Sequence, residues 1–295
     1  CLSQAGNQLF MRRNMTYMVL IICMLLYGSV AAGKGLYVRA GDGSRVTARI
    51  IEWHDDPLEC GFLVIPRGYH HCLYRCDGGN GLNFRTLYGY VGIYAGDESS
   101  VVEGMNEAGL CAGLFCMPDS LQCMSSVRIG DDVDICSRNF VSWILSEFSS
   151  IDQIKDVLEE TDNVRNSDGI SGIRWRITEP GGRIAYIDVC DGIPLLSEGG
   201  QSASADSSLT NGYDTVMQSF HILDSLYVPV VQEFSDRFLI TCAADQAAMK
   251  LYFSTDRDNS IRCIDLLNID FRKVRIQSRP LDRLRSRPVR YLKVR

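Results

Sequence analysis

GLYVRAGDGSRVTARIIEW, residues 35–53, is the stretch from which the fold is read. Gly35 to Val38 has the composition of a strand, and Asp42-Gly43 is a strong two-residue hairpin signal. Arg45 to Trp53 then reads as the returning strand. The globular part therefore opens on an antiparallel hairpin.

Outward from that hairpin the chain stays strand-rich. Phe62 to Ile65 is an apolar strand stopped by Pro66, and Tyr88 to Tyr94 is a further strand with glycines at close-approach positions. Gly104 to Leu110 reads as a tight turn from which Cys111 to Met117 runs out as a strand. The period then changes. Val133 to Phe148 carries apolar residues at helical spacing, and Ser150 with Gln153 resembles a capping box for a second helix faced by Ile151, Ile154, Val157 and Leu158. Strands resume at Trp175 to Thr178 and, after the Pro180-Gly181-Gly182 turn, at Ile184 to Val189. Gly199 to Ser208 reads as a loop, Phe238 to Ala248 as a helix, and Lys250 to Ser254 and Ile261 to Ile269 as closing strands. Helices between blocks of antiparallel strands predict an α+β fold with helices packed on sheets.

The 295 residues, 46% hydrophobic and 22% charged, suit one large domain or two small ones and exclude disorder, collagen and a multi-span membrane protein. The net charge of −6 is uneven: from Arg272 onward the chain is +9, which leaves −15 for the remainder. Such a body is a poor match for nucleic acid or an anionic membrane. Residues 279–295 read as a basic, solvated, disordered tail.

Arg12 and Arg13, the apolar run Met18 to Tyr27 and the small residues Gly28 to Ala32 have the layout of a secretory signal peptide over about 11–32, with residues 1–10 upstream of the true start. Cleavage after Ala32 leaves Gly33 first; an uncleaved anchor is the alternative. The expected location is secreted or periplasmic, with no stable membrane span. Domains are drawn as 1–32 (upstream residues and leader), 33–278 (globular domain) and 279–295 (tail).

Cys111, Cys116, Cys136, Cys190, Cys242 and Cys263 lie in or beside apolar runs and are expected as core residues. A loop disulfide among Cys60, Cys72 and Cys76 is expected. His70-His71-Cys72 with Cys76 has metal-binding residue types, but no second pair at zinc-site spacing follows, so no metal is assigned.

Five segments carry a resemblance when taken in order: Thr47 to Trp53, Ile65 to Gly68, Gly104 to Leu110 with Pro118, Thr210-Asn211, and Ser235 to Phe238. Together, from about Gly33 to about Ile276, they resemble the choloylglycine hydrolase family (bile salt hydrolases and penicillin V acylases), members of the N-terminal nucleophile hydrolases. The resemblance implies a four-layer αββα sandwich of two antiparallel sheets with helices outside, hydrolysis of linear amides, no cofactor, and a small-molecule amide substrate or ligand. Family analogy favours a homotetramer.

In that family the mature chain begins with a cysteine whose thiol attacks the amide while its own α-amine acts as base. An Asn side chain and a backbone N–H hold the oxyanion. By position, the resemblance gives Asn106 the oxyanion role, sets Arg49 against the nucleophile, and completes the shell with Arg237 and Asn211. Glu52 matches a position where the family usually has Asp. Counting back from Arg49, the family's cysteine falls on Gly33, which has an α-amine but no side-chain nucleophile. The chain is also short between Arg237 and Tyr252. Each residue has a plainer reading: Arg49 with Glu52 as a surface pair, Asn106 and Asn211 as turn residues, Arg237 with Asp236 as a solvated pair. Two functions follow as expectations: an exported linear-amide hydrolase, or an inactive relative that binds an amide or steroid ligand.

Overall fold

The computed structural model describes residues 35–53, 59–75, 79–96, 98–116, 126–129, 133–159, 170–190, 192–199, 203–204, 211–226 and 238–281. In chain order the strands are β1 (Gly35–Arg39), β2 (Arg45–Trp53), β3 (Glu59–Ile65), β4 (His70–Tyr74), β5 (Asn80–Arg85), β6 (Tyr90–Gly96), β7 (Val101–Asn106), β8 (Cys111–Cys116), β9 (Ser126–Ile129) and β10 (Val133–Cys136). A 3-10 turn at Ser137–Asn139 leads into α1 (Phe140–Glu147), and α2 (Ile151–Glu159) follows. Then come β11 (Ile170–Thr178), β12 (Ile184–Cys190), β13 (Ile193–Glu198), β14 (Ala203–Ser204), α3 (Gly212–Leu226), β15 (Phe238–Asp245), β16 (Lys250–Thr255), β17 (Arg262–Asp265) and β18 (Gln277–Pro280).

Among the described residues the strands make two large sheets. One is six-stranded, in the order β14-β1-β2-β15-β16-β17; the other is eight-stranded, in the order β13-β12-β11-β8-β7-β6-β3-β18. Pairing is antiparallel except for β1 with β14. Apolar side chains fall into three layers. Val64, Val91, Met105, Ile240 and Phe253 fill the space between the sheets. Leu110, Ala112, Trp175 and Ile177 face α1 and α2 across the eight-stranded sheet's other side. Val46, Ala48 and Ala243 meet Val216, Phe220 and Leu223 of α3 across the outer face of the six-stranded sheet. Three core layers between two helix layers and two sheets make a four-layer α+β sandwich.

Local chemistry explains the elements that were foreseen. Gly43 sits at φ +88°, open only to a residue without Cβ, and Ser44 N–H donates to the Asp42 carboxylate at 2.8 Å, so Asp42-Gly43 turns the first hairpin. In α2 the Ser150 hydroxyl accepts from Gln153 N–H at 3.3 Å, and the Gln153 amide oxygen accepts from Ser149 N–H at 2.8 Å. Ile151, Ile154 and Leu158 are buried while Asp152 and Asp156 are exposed, as the spacing requires.

Other expectations are corrected. Phe238–Asp245 is a strand, not a helix. It lies between β2 and β16 at the centre of its sheet, with Cys242 facing one core and Ala243 the other. A strand buried on both faces shows no polar alternation, and its small residues fit where α3 packs close. Val133 to Phe148 is not one helix: β10 pairs with β9 before α1 begins at Phe140. α3 and β7 were not anticipated, and within Gly104–Leu110 the turn occupies only the stretch after Asn106. The cysteines are also corrected. Cys60 is a thiol outside any disulfide, buried in the inter-sheet core, and Cys72 is likewise outside any disulfide and exposed, whereas Cys136, expected to be a plain core residue, is disulfide-bonded. Cys76 lies outside the described residues. No helix among the described residues is long and apolar enough to cross a membrane.

Candidate functional site

Two rows of residues face each other across the inter-sheet space. In the six-stranded sheet, register aligns Gly35, Arg49 and Cys242. In the eight-stranded sheet it aligns Glu103, Gly113 and Arg176. Arg49, Glu103 and Arg176 are each at most 5% exposed. Arg49 Nε lies 2.9 Å from Glu103 Oε2, and Arg176 Nη2 lies 3.7 Å from Glu103 Oε1. One carboxylate thus lies between two guanidiniums from opposite sheets.

Gly113 makes this possible. It stands between Glu103 and Arg176 in register, and a Cβ there would collide with the Glu103 carboxylate. Without that side chain, the acid and base on strands two apart reach each other across the intervening strand. The ladder between β7 and β8 ends at the Glu103–Gly113 pair. Arg49 enters just beyond it: Nη1 donates to the Leu114 carbonyl at 2.6 Å and Nη2 to the Val102 carbonyl at 3.1 Å. Val102 is the extra residue of a bulge, since Ile93 pairs with Glu103 and Tyr94 with Val101.

Burial pushes the Glu103 carboxyl above its ordinary range, and Arg49 and Arg176 oppose that rise. Burial is also the main cause that raises the thiols of Cys111 and Cys242, the latter to about 12. Both are protonated at neutral pH and are therefore poor nucleophiles.

The other site candidates lie elsewhere. Asn106 ends β7 and faces α1. Its side-chain nitrogen donates to the Leu145 and Phe148 carbonyls at 3.0 and 2.7 Å. Its side-chain oxygen accepts from Ala108 and Leu110 N–H at 3.0 and 3.1 Å, and its own N–H goes to the Leu110 carbonyl. All its donors are engaged by its own turn and the end of α1. Asn211 caps α3: its side-chain oxygen accepts from Asp214 N–H at 3.0 Å and its nitrogen donates to Asp214 at 2.8 Å. The adjoining Gly212 packs beside Ser44 and Asp245, at the turn end of the first hairpin. Arg49 is five residues beyond Ser44 along the chain, about 16 Å at strand rise. The structure therefore brings together neither Asn106 nor Asn211 with Arg49. Glu52 pairs through its backbone with Leu239. Gly33 and Arg237 lie outside the described residues.

The His70-His71-Cys72 cluster is divided by strand alternation. His71 is buried, 3.3 Å from Ser146 Oγ, stacked on Phe84 and edge-on to Tyr69, with ring centroids 4.8 Å away in both cases. Burial lowers its pKa to about 4, with His70 adding to the effect. His70 and Cys72 are exposed, with Nδ1 and Sγ 3.6 Å apart.

Sequence reasoning missed Glu103, Gly113 and Arg176. The available signal was a lone acid in the apolar run Val-Val-Glu-Gly-Met, residues 101–105, and a lone base between Trp175 and Ile177. Buried strands keep such charges only in pairs.

A sandwich of two antiparallel sheets between helix layers is the architecture of N-terminal nucleophile hydrolases. Within that class the chain belongs to the linear amide C-N hydrolases, choloylglycine hydrolase family, which residues 34–189 match. Its fold is similar to that of penicillin V acylase from Agrobacterium tumefaciens, at TM-score 0.63 and 14% identity over 86% of this chain and 94% of that one. It is also similar to two variants of conjugated bile acid hydrolase from Clostridium perfringens. One gives TM-score 0.60 and 15% identity over 88% and 99% of the two chains, the other 0.61 and 15% over 90% and 100%. No curated protein matches.

Proposed function

We propose that this chain is an exported member of its family that binds a small amide-bearing ligand and does not cleave it. The observation that carries the reading is the complete engagement of Asn106, whose every donor is taken by its own turn and by α1. An oxyanion hole needs preorganised donors aimed at the developing charge, each worth about 3–4 kcal/mol. Asn106 can donate there only by abandoning a bond that holds the fold. Position 33 adds to this. In this reading the processed chain starts on a glycine, which brings an amine without a thiol. The two protonated core thiols do not replace it.

A second reading, retained hydrolysis of linear amides, draws on the family match and on Arg49, still buried beside the head of β1. The ligand classes follow from the relatives: penicillin V and conjugated bile acids. In this reading residues 11–32 are a leader and the processed chain starts at Gly33, which the intact mass of the exported protein measures. The deciding experiment incubates the processed parent and its Gly33→Cys variant with each compound and follows amide cleavage, alongside calorimetric titration of the parent. Binding without cleavage by the parent is expected. Turnover by the parent refutes the non-hydrolytic reading, and absence of binding to every compound refutes the ligand class.

A further inference from the structure

Residues 60–65 of β3 read Cys-Gly-Phe-Leu-Val-Ile, with no charge and no proline. Phe62 and Val64 are buried in the inter-sheet core, Leu63 and Ile65 in the core beneath α1. At the edge of a sheet such a strand offers a row of backbone N–H and C=O groups to any other extended chain. β18 occupies that edge. Its Gln277, Ser278, Arg279 and Pro280 pair antiparallel with Val64, Leu63, Phe62 and Gly61. Ser278, Arg279 and Pro280 are exposed, so the strand buries little of its own surface. Arginine and proline are also the residue types that blunt an edge. The polar C-terminal strand thus covers an apolar one.

Two side chains hold the cover. Leu281, the next residue after β18, is fully buried, and its N–H donates to the Cys60 carbonyl at 2.9 Å; both residues belong to the inter-sheet core. Arg262 comes from the opposite sheet, on its terminal strand β17, and is also buried. Its Nη1 donates to the Leu281 carbonyl. Asp258 and Phe253 steady it: Nη1 lies 3.5 Å from Asp258 Oδ2, Nη2 donates to the Asp258 carbonyl at 3.4 Å, and the guanidinium carbon lies 4.8 Å from the Phe253 ring centroid. One buried guanidinium therefore joins the terminal strand of the six-stranded sheet to the end of the terminal strand of the eight-stranded sheet.

We propose that β18 is a releasable guard strand, that Arg262 is its latch, and that the edge it covers is a pairing surface for a second copy of this chain. Release breaks a four-residue ladder, the burial of Leu281 and the bond from Arg262. It leaves β3 paired with β6 and the rest of the sandwich closed. It uncovers the outer edge of β3 and, beside Leu281, the Cys60 thiol. Two such edges can pair with each other about a twofold axis. The inference is independent of the ligand and of the activity proposed above.

Maleimide labelling of the full-length chain under native conditions, read peptide by peptide by mass spectrometry, follows the strand. In the parent, Cys60 stays protected together with Cys111 and Cys242. Arg262→Gln is expected to speed labelling of Cys60 about tenfold or more, as the loss of a charge-assisted hydrogen bond from the closed state requires, and to leave Cys111 and Cys242 protected. Leu281→Ala should do the same. Arg262→Lys keeps the charge without the planar fork and should have a smaller effect. Acceleration at all three thiols together would be general loosening and overturns the guard strand. Unchanged Cys60 labelling in folded Arg262→Gln overturns the latch; if that variant does not fold, Arg262→Lys decides by the same readout. Sedimentation velocity over a concentration series tests the pairing surface. The variant with an open Cys60 should form a discrete, concentration-dependent species larger than the parent's, and sedimentation identical to the parent's overturns pairing through this edge.

Discussion

Acid should loosen this protein through one imidazole. His71 is packed among Tyr69, Phe84 and Tyr90 and sits against Ser146 of α1. Unfolded, its ring titrates near 6.5; folded, burial holds it near 4. Above pH 6.5 the ring is neutral in both states and the packing contributes in full. Between 6.5 and 4 the unfolded chain takes up a proton that the folded chain refuses, so stability falls by about 1.4 kcal/mol per unit. From pH 7 to 5 that is about 2 kcal/mol. Glu103, Glu147 and Asp245 titrate above their ordinary range in the fold and act with the opposite sign. The measurement is therefore differential: urea unfolding of the parent and of His71→Phe, under reductant, at pH 7, 6 and 5. Stability of the parent relative to the variant should drop by about 2 kcal/mol across that range. A difference that stays constant to within about 0.5 kcal/mol would falsify the assignment of a neutral buried ring.

Asn106→Ala removes four buried side-chain hydrogen bonds and leaves two carbonyls and two N–H groups without them, so urea unfolding should show a loss of about 3–5 kcal/mol. Asn211→Ala should cost only about 1 kcal/mol, and Asn211→Gly a few tenths, as expected of a helix cap; a larger loss would give Asn211 a role beyond capping α3. Under native conditions a maleimide should label Cys72 rapidly. Peptides carrying Cys60, Cys111, Cys190, Cys242 and Cys263 should react only after denaturation, as mass spectrometry of the digest would show.

The hairpin was legible because its turn needs Asp42-Gly43 and little else. Phe62 to Ile65 was legible because Pro66 ends it, and α2 because its cap and its buried face agree. β15 was illegible for a physical reason: burial on both faces erases the alternation that identifies a strand. α3 was hidden behind Asn211, read for its family position, although Asn211 with Asp214 is a helix start and Val216, Phe220 and Leu223 share one face. Within the site, Arg49 could be found by motif. Its partners could not, because Glu103, Gly113 and Arg176 are far apart in sequence and meet only through strand register. Asn106 was found and given a catalytic role, while its bonds to α1 depend on a helix whose start the helical spacing placed too early.

Deleting Val102 would leave the topology of the sandwich untouched. Val102 and Glu103 both look toward the inter-sheet core, so with Val102 gone the neighbours from Val101 to Asn106 would still alternate correctly, each keeping its present side. What the shortened strand would lack is one buried valine side chain of the inter-sheet core and the carbonyl oxygen that Arg49 Nη2 now holds. The surplus residue is thus spare for strand pairing, and it serves twice over, as core packing and as the acceptor for one guanidinium.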